Sequence, residues 1–312
     1  MDIDVFKPGQ LDQVFGVLRT VLNPYGLLSE RERLFLDTYA KITRYRLQGD
    51  PLPLSPYAVD IADPHQRKRL VQLAALAALL GSPVRAGSIE VLEALSDHLQ
   101  TWDPVIGVLR ALHKKQFLKV KLLARRRAFG ALAKEAYAAE GILGVVRFFS
   151  ALFLKTGVNR DRLWSYKRLG LLPEGTLGRE YWKHLTELGF GFPGEPAGIP
   201  DSVAYHDIAH VLAEHDTTPL GEIQQGSFQG GNRREDGFFF IQFVILQFHH
   251  GIGVTPVAPP QTGHFDPKKV LWAIHRGASC NVDVTHQWDF WPLMELSLAE
   301  ARARIGLIAK PA

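Results

Sequence analysis

Four residues in the second half of the chain have the types and spacing to hold a metal ion: His206, Asp207, His210 and Glu222. In the run Tyr205-His-Asp-Ile-Ala-His210 the two histidines are four positions apart, so on a helix they share a face. Asp207 stands three residues before His210, and all three side chains fall within about 100° of arc. Two neutral imidazoles and a carboxylate on one side suit a divalent cation such as Zn²⁺ or Fe²⁺. The stretch Thr217-Thr-Pro-Leu-Gly-Glu222 then breaks the helix and opens another, with Thr218 as its cap and Pro219 in the first helical position. That reversal lets Glu222 face back as a fourth ligand. A His-x₃-His pair on a helix also occurs as hydrogen-bonded surface or core histidine, so spacing leaves both readings open. His249-His250 is the weaker candidate, because adjacent helical positions diverge by about 100° and at most one can enter a shared pocket. His215 and Asp216 are expected in a loop, facing water.

The elements that must position these residues read as helices. Apolar residues recur at three- and four-residue steps over Leu11–Leu22 and Glu30–Leu47, with Ser29 as an N-cap. Three prolines in Asp50–Pro56 bar helix there. Two further helices, Arg67–Leu80 and Ser88–Gln100, are joined by Gly81–Gly87, with Ser88 read as a cap. Thr176 caps a helix that ends near Gly189, and another helix runs from Ser202 to Glu214. Phe238–Phe248 is apolar nearly all round, which argues for a buried helix. Its plain reading is core. Its functional reading is a wall for a greasy ligand, with Phe239, Phe243 and Leu246 as the lining candidates. No period-two run long enough for a sheet occurs in residues 1–190, so the fold class is all-α.

Of 312 residues, 46% are hydrophobic and 22% charged, which excludes a disordered or low-complexity protein. The net charge of +4 conceals two halves. Residues 1–160 carry 23 Lys/Arg against 15 Asp/Glu, whereas residues 161–312 carry 13 against 17. Eight of the twelve histidines fall after residue 200. We therefore expect a helical N-terminal module over residues 1–158, followed by a helical metal- and lipid-binding domain over 159–312. Residues 104–134 hold nine Lys/Arg and no acid, interleaved with apolar side chains. A solvated basic helix and an anchor on an anionic membrane are both open readings, the latter helped by the apolar segment Ile142–Leu154. Nucleic acid is not expected, since no matching signature accompanies the charge. A lone Cys280 and the absence of a basic-then-apolar leader fit a reducing, cytoplasmic setting, and the basic segment adds a peripheral place on the inner face of a membrane as an expectation. No apolar run reaches the ~20 residues of a spanning helix.

Residues from about 163 to 308 resemble the coenzyme Q biosynthesis protein 4 family. The carrying features are His206-Asp207-Ile-Ala-His210, eleven residues, then Glu222; the approach Leu172-Pro-Glu-Gly-Thr-Leu-Gly-Arg-Glu-Tyr181; and the segments Trp272–Gly277 and Trp288–Leu307. The resemblance implies an all-helical fold, metal held by His206, Asp207, His210 and Glu222, and a bound polyprenyl lipid. It further implies action at C1 of a polyprenylated aromatic ring in ubiquinone synthesis, as a metal-dependent lyase or oxidative decarboxylase beside other biosynthetic enzymes. A non-catalytic lipid-binding scaffold is the alternative, and a homodimer is an assembly that the sequence allows. Residues 1–150 and Ile223–Gly231 depart from the family's pattern. The His206-Asp207 dipeptide also suggests an HD-type phosphohydrolase, for which His184 and Asp283 are the available partners.

Overall fold

The computed structural model describes residues 1–127, 130, 160–195, 201–255, 258–285 and 288–311. Helices α1 (Leu11–Leu22), α2 (Glu30–Thr43), α3 (Pro64–Leu79), α4 (Ala86–His98), α5 (Val105–His113) and α6 (117–127) come first. They are followed by α7 (Arg160–Arg168), α8 (Leu177–Glu187), α9 (Asp201–Ala213), α10 (Pro219–Asn232), α11 (Phe238–Phe248), α12 (Pro267–Ser279) and α13 (Leu298–Arg304). Among the described residues no strand occurs, only two isolated bridge pairs, Thr176 with Ser297 and His250 with Thr262. The fold is all-α, as the sequence pattern requires.

Local chemistry accounts for several helix starts. Ser29 accepts from the Glu32 backbone N–H while the Glu32 carboxylate accepts from Ser29, a reciprocal cap that opens α2. Asp63 and Pro64 open α3 in the same spirit, the Asp63 carboxylate accepting from Gln66 N at 2.9 Å. At Arg44 the backbone turns left-handed (φ 54°), so α2 stops at Thr43 rather than running on to Leu47. The expected cap at Ser88 is corrected: α4 begins at Ala86, and Ser88 is buried inside its first turn. Gly87, Ser88 and Ile89 are all buried in that turn, and a Cβ on Gly87 would stand 2.7 Å from the Tyr25 ring. Close packing of that first turn outweighs the capping preference.

The chain forms two compact units, one of Met1–Ala128 with Thr218–Ala278, the other of Phe129–Thr217 with Ser279–Lys310. In the first, α3 is the central rod. Its Leu70–Leu79 stretch is buried residue after residue, and it packs on α1, α4, α5 and α11. Alanines let neighbouring helices come close, while Leu70, Leu73 and Leu76 each contribute about 2 kcal/mol by burial. The same core takes Ile241, Ile245 and Ile274 from α11 and α12.

The basic segment of this unit is two helices, since α5 closes at His113 and Lys115 adopts a left-handed conformation (φ 53°) before α6. Arg127 does not face solvent with the other cations. It pairs with Asp103 at 2.7 Å and with Asp236 at 2.5 Å, with 6% of its side chain exposed. Burial opposes ionisation of Asp103, yet the charge and hydrogen bonds of Arg127 hold its carboxyl below the usual carboxylate range. Gln72 donates to the same carboxylate at 2.9 Å, and Arg69 donates to Gln72 at 2.8 Å.

In the second unit, α8 is opened by Thr176, which accepts from Arg179 N. Its first turn is also held by the C-terminal segment, with Leu177 N and Gly178 N donating to the carbonyls of Leu296 and Met294. The end of α9 is held by α13, whose Arg302 donates to the carbonyls of Leu212 and Val211 at 2.8 and 3.3 Å. These contacts satisfy terminal backbone groups that a buried helix end leaves open. No described helix is long and apolar enough to cross a membrane, and the segment Ile142–Leu154 lies outside the described residues.

Candidate metal centre

One helix, α9, carries both histidines of the expected site. With four residues between them they project from successive turns, and their Nε2 atoms stand 3.0 Å apart with the rings at 81°. Two imidazole nitrogens at that separation converge on one point. The other nitrogen of His210 is committed: Nδ1 donates to the His215 carbonyl at 3.1 Å. Because a carbonyl only accepts, this bond places the proton on Nδ1 and leaves the Nε2 lone pair directed at His206. Metal-binding histidines need that tautomer and that anchored orientation.

His210 is 1% exposed. Burial, reinforced by the neighbouring His206, pushes its imidazole well below the ordinary histidine range, although the His215 bond opposes the shift. A neutral ring is the form that ligates a cation. Packing of α8 on α9 adds His184, whose ring stacks on that of His210 at 5.7 Å. The sequence placed His184 only as an HD-type partner. The missed signal was its position one helical turn from Tyr181 on the buried face of α8. Asp283 accepts from the backbone N–H and hydroxyl of Thr285 in its own loop.

Glu222 occupies the first turn of α10, which Thr218 caps by accepting from Gly221 N at 3.1 Å, with Pro219 at the first helical position. On α9 itself, His206 and His210 are the two nitrogen donors that are brought together. Asp207 is buried on the same helix. Such a histidine pair is the nitrogen half of the His/carboxylate donor sets that hold Zn²⁺ or Fe²⁺ with coordination positions left for water or substrate.

The remaining histidines have other work. His215 is buried, not solvent-facing as its loop position suggested, and its backbone carbonyl orients His210. His249 and His250 bond through Nε2 to the carbonyls of Leu80 and Leu79, at 3.2 and 3.0 Å. Both close the C-terminal end of α3 as neutral rings, with burial lowering them to about 4 and about 3.

Of the lining candidates on α11, Leu246 is fully buried in the core and Phe243 is half-buried against it. Phe239 stacks on Phe240 at 4.2 Å beneath the Arg233 guanidinium. The second unit has an open cavity of about 280 Å³ walled by Tyr166, Tyr205, Trp288, Phe290 and Trp291, with Arg162 and Asp289 as its charged members. Tyr205 immediately precedes His206 on α9. No protein-family model and no curated protein matches the chain.

Proposed function

We propose that this chain is a metal-dependent enzyme of the coenzyme Q biosynthesis protein 4 type, acting on a polyprenylated aromatic acid at C1. The observation that carries the metal is the convergence of His206 and His210 on one point, with His210 neutral, buried and oriented from behind. Glu222, in the first turn after the Thr218 cap, is the carboxylate that the sequence spacing offers to the donor set. Bound there, Zn²⁺ or Fe²⁺ supplies Lewis acidity toward a carboxylate or phenolic oxygen of the ring. The chain's own groups do the rest: the His215 carbonyl holds the His210 tautomer, and the aromatic-walled cavity beside Tyr205 offers faces for a planar ring. The net change is loss of the ring carboxyl as carbon dioxide and gain of a hydroxyl. One oxygen-atom equivalent must come from an external oxidant.

The decisive experiment is native mass spectrometry of the full chain, reading bound metal and co-purified lipid together. We expect about one metal per chain in the wild type and loss of most of it in His210→Ala. A carboxylated polyprenyl aromatic retained by Glu222→Ala would support the enzyme. Metal-free wild-type protein holding a polyprenyl lipid would replace the enzyme with a lipid-presenting scaffold, and metal with phosphatase activity would replace it with a phosphohydrolase.

A further inference from the structure

We infer that the solvent face of α6, with the turn leading into it, is a docking surface for an anionic lipid bilayer. The inference rests on the first compact unit alone and is independent of the metal site.

From Lys114 to Arg127 the chain carries seven Lys/Arg and no acid. The helix turns Val120 and Ala124 inward, both buried, together with the ion-paired Arg127. Opposite them stand Leu118 and Leu122, 85% and 67% exposed, one turn apart on a single face. Phe117 at the helix start is 47% exposed. A helix that served only to cover a core would place leucines inward and lysines outward. Here helical geometry sets the outward leucines in a basic frame, with Lys119 and Arg126 on one side and Lys121 and Arg125 on the other. Lys114, Lys115, Lys119, Lys121 and Arg126 form no ion pair with a described residue. Lys115 and Lys119 also rim an open hollow with Phe117 and Leu118 between them.

The occupant must answer both features. Nucleic acid would neutralise the cations but offers no apolar depth for paired leucines. An anionic bilayer provides phosphates at the surface and acyl chains just beneath, which is the layered environment of an interfacial helix.

The test is vesicle flotation of the full chain with phosphatidylcholine alone and with phosphatidylcholine mixed with phosphatidylserine. We expect strong partition onto the mixed vesicles only, reversed by added salt. Replacing Lys114, Lys115 and Lys119 with Gln should weaken it about a hundredfold, each near-surface cation being worth about fivefold. Leu118→Gln and Leu122→Gln should each weaken it about tenfold. All five side chains are exposed, so the circular dichroism melt should not move. Equal partition onto neutral vesicles, partition unaffected by salt, or variants that bind like the wild type would overturn the inference. Wild-type protein that ignores both vesicles but is retained by an oligonucleotide or a polyanionic peptide would overturn it in favour of that partner.

Discussion

His210 is positioned from both ends of its ring: Nδ1 is tied to the His215 carbonyl and Nε2 faces His206. A ring held that way loses little orientational freedom on binding a cation, so His210→Ala should remove most of the bound metal. Tyr205→Ala, one residue from His206, should leave metal content unchanged while weakening binding of an aromatic acid. Metal analysis and ligand titration separate the two. His249 and His250 make a different prediction, about pH. In the unfolded chain each titrates near the usual 6.5, whereas the fold lowers them to about 4 and about 3. Between those values the unfolded state holds more protons, so stability is present above pH 6.5 and falls as pH drops toward 4. The slope is up to about 1.4 kcal/mol per pH unit for each ring. Urea midpoints at neutral and mildly acidic pH check this, and His249→Gln combined with His250→Gln should flatten the histidine part of the slope.

At the level of elements, the closest packing lies where the sequence looked least distinctive. Gly226 and Gly230, one turn apart on α10, face α11, and a Cβ on either would stand 2.4 Å from Val244 or Ile241. Gly231 and Gly277 meet where α10 crosses α12, each Cβ falling 2.0 Å from a backbone oxygen of the other helix. Backbone cannot yield as a side-chain tip can, so Gly231→Ala should cost about 3 kcal/mol, read as a shift in the denaturation midpoint. Removing the buried partner of Arg127 should cost a similar amount: Asp103→Ala leaves the buried guanidinium with only Gln242 and the part-exposed Asp236, a loss of about 3 kcal/mol. Helix starts at Ser29, Thr176 and Thr218 were legible because a cap is a contact within four residues. The start of α4 was not, because Ser88 and Ile89 are buried where α4 packs on helices distant in sequence.

For the whole molecule, the two compact units interleave along the sequence, with residues 218–278 completing the core built by residues 1–128. A fragment of residues 1–158 would lack Ile241, Ile245 and Ile274 and expose the apolar groups they cover. We expect it to melt without a cooperative transition, whereas the full chain melts cooperatively; differential scanning calorimetry distinguishes the two. What the sequence determined by itself was periodicity, caps and donor types: an all-α chain, the helix that carries His206 and His210, and the Thr218-Pro219 start that places Glu222 in a first turn. These are properties of neighbours along the chain, fixed by helical geometry within a few residues. Tertiary structure alone decided that Arg127 turns inward while Leu118 and Leu122 face out, that His215 is buried behind His210, and that α10–α12 join the N-terminal core. Each of those depends on which distant surface buries a group, and hydrophobic burial and charge pairing act across any separation in sequence.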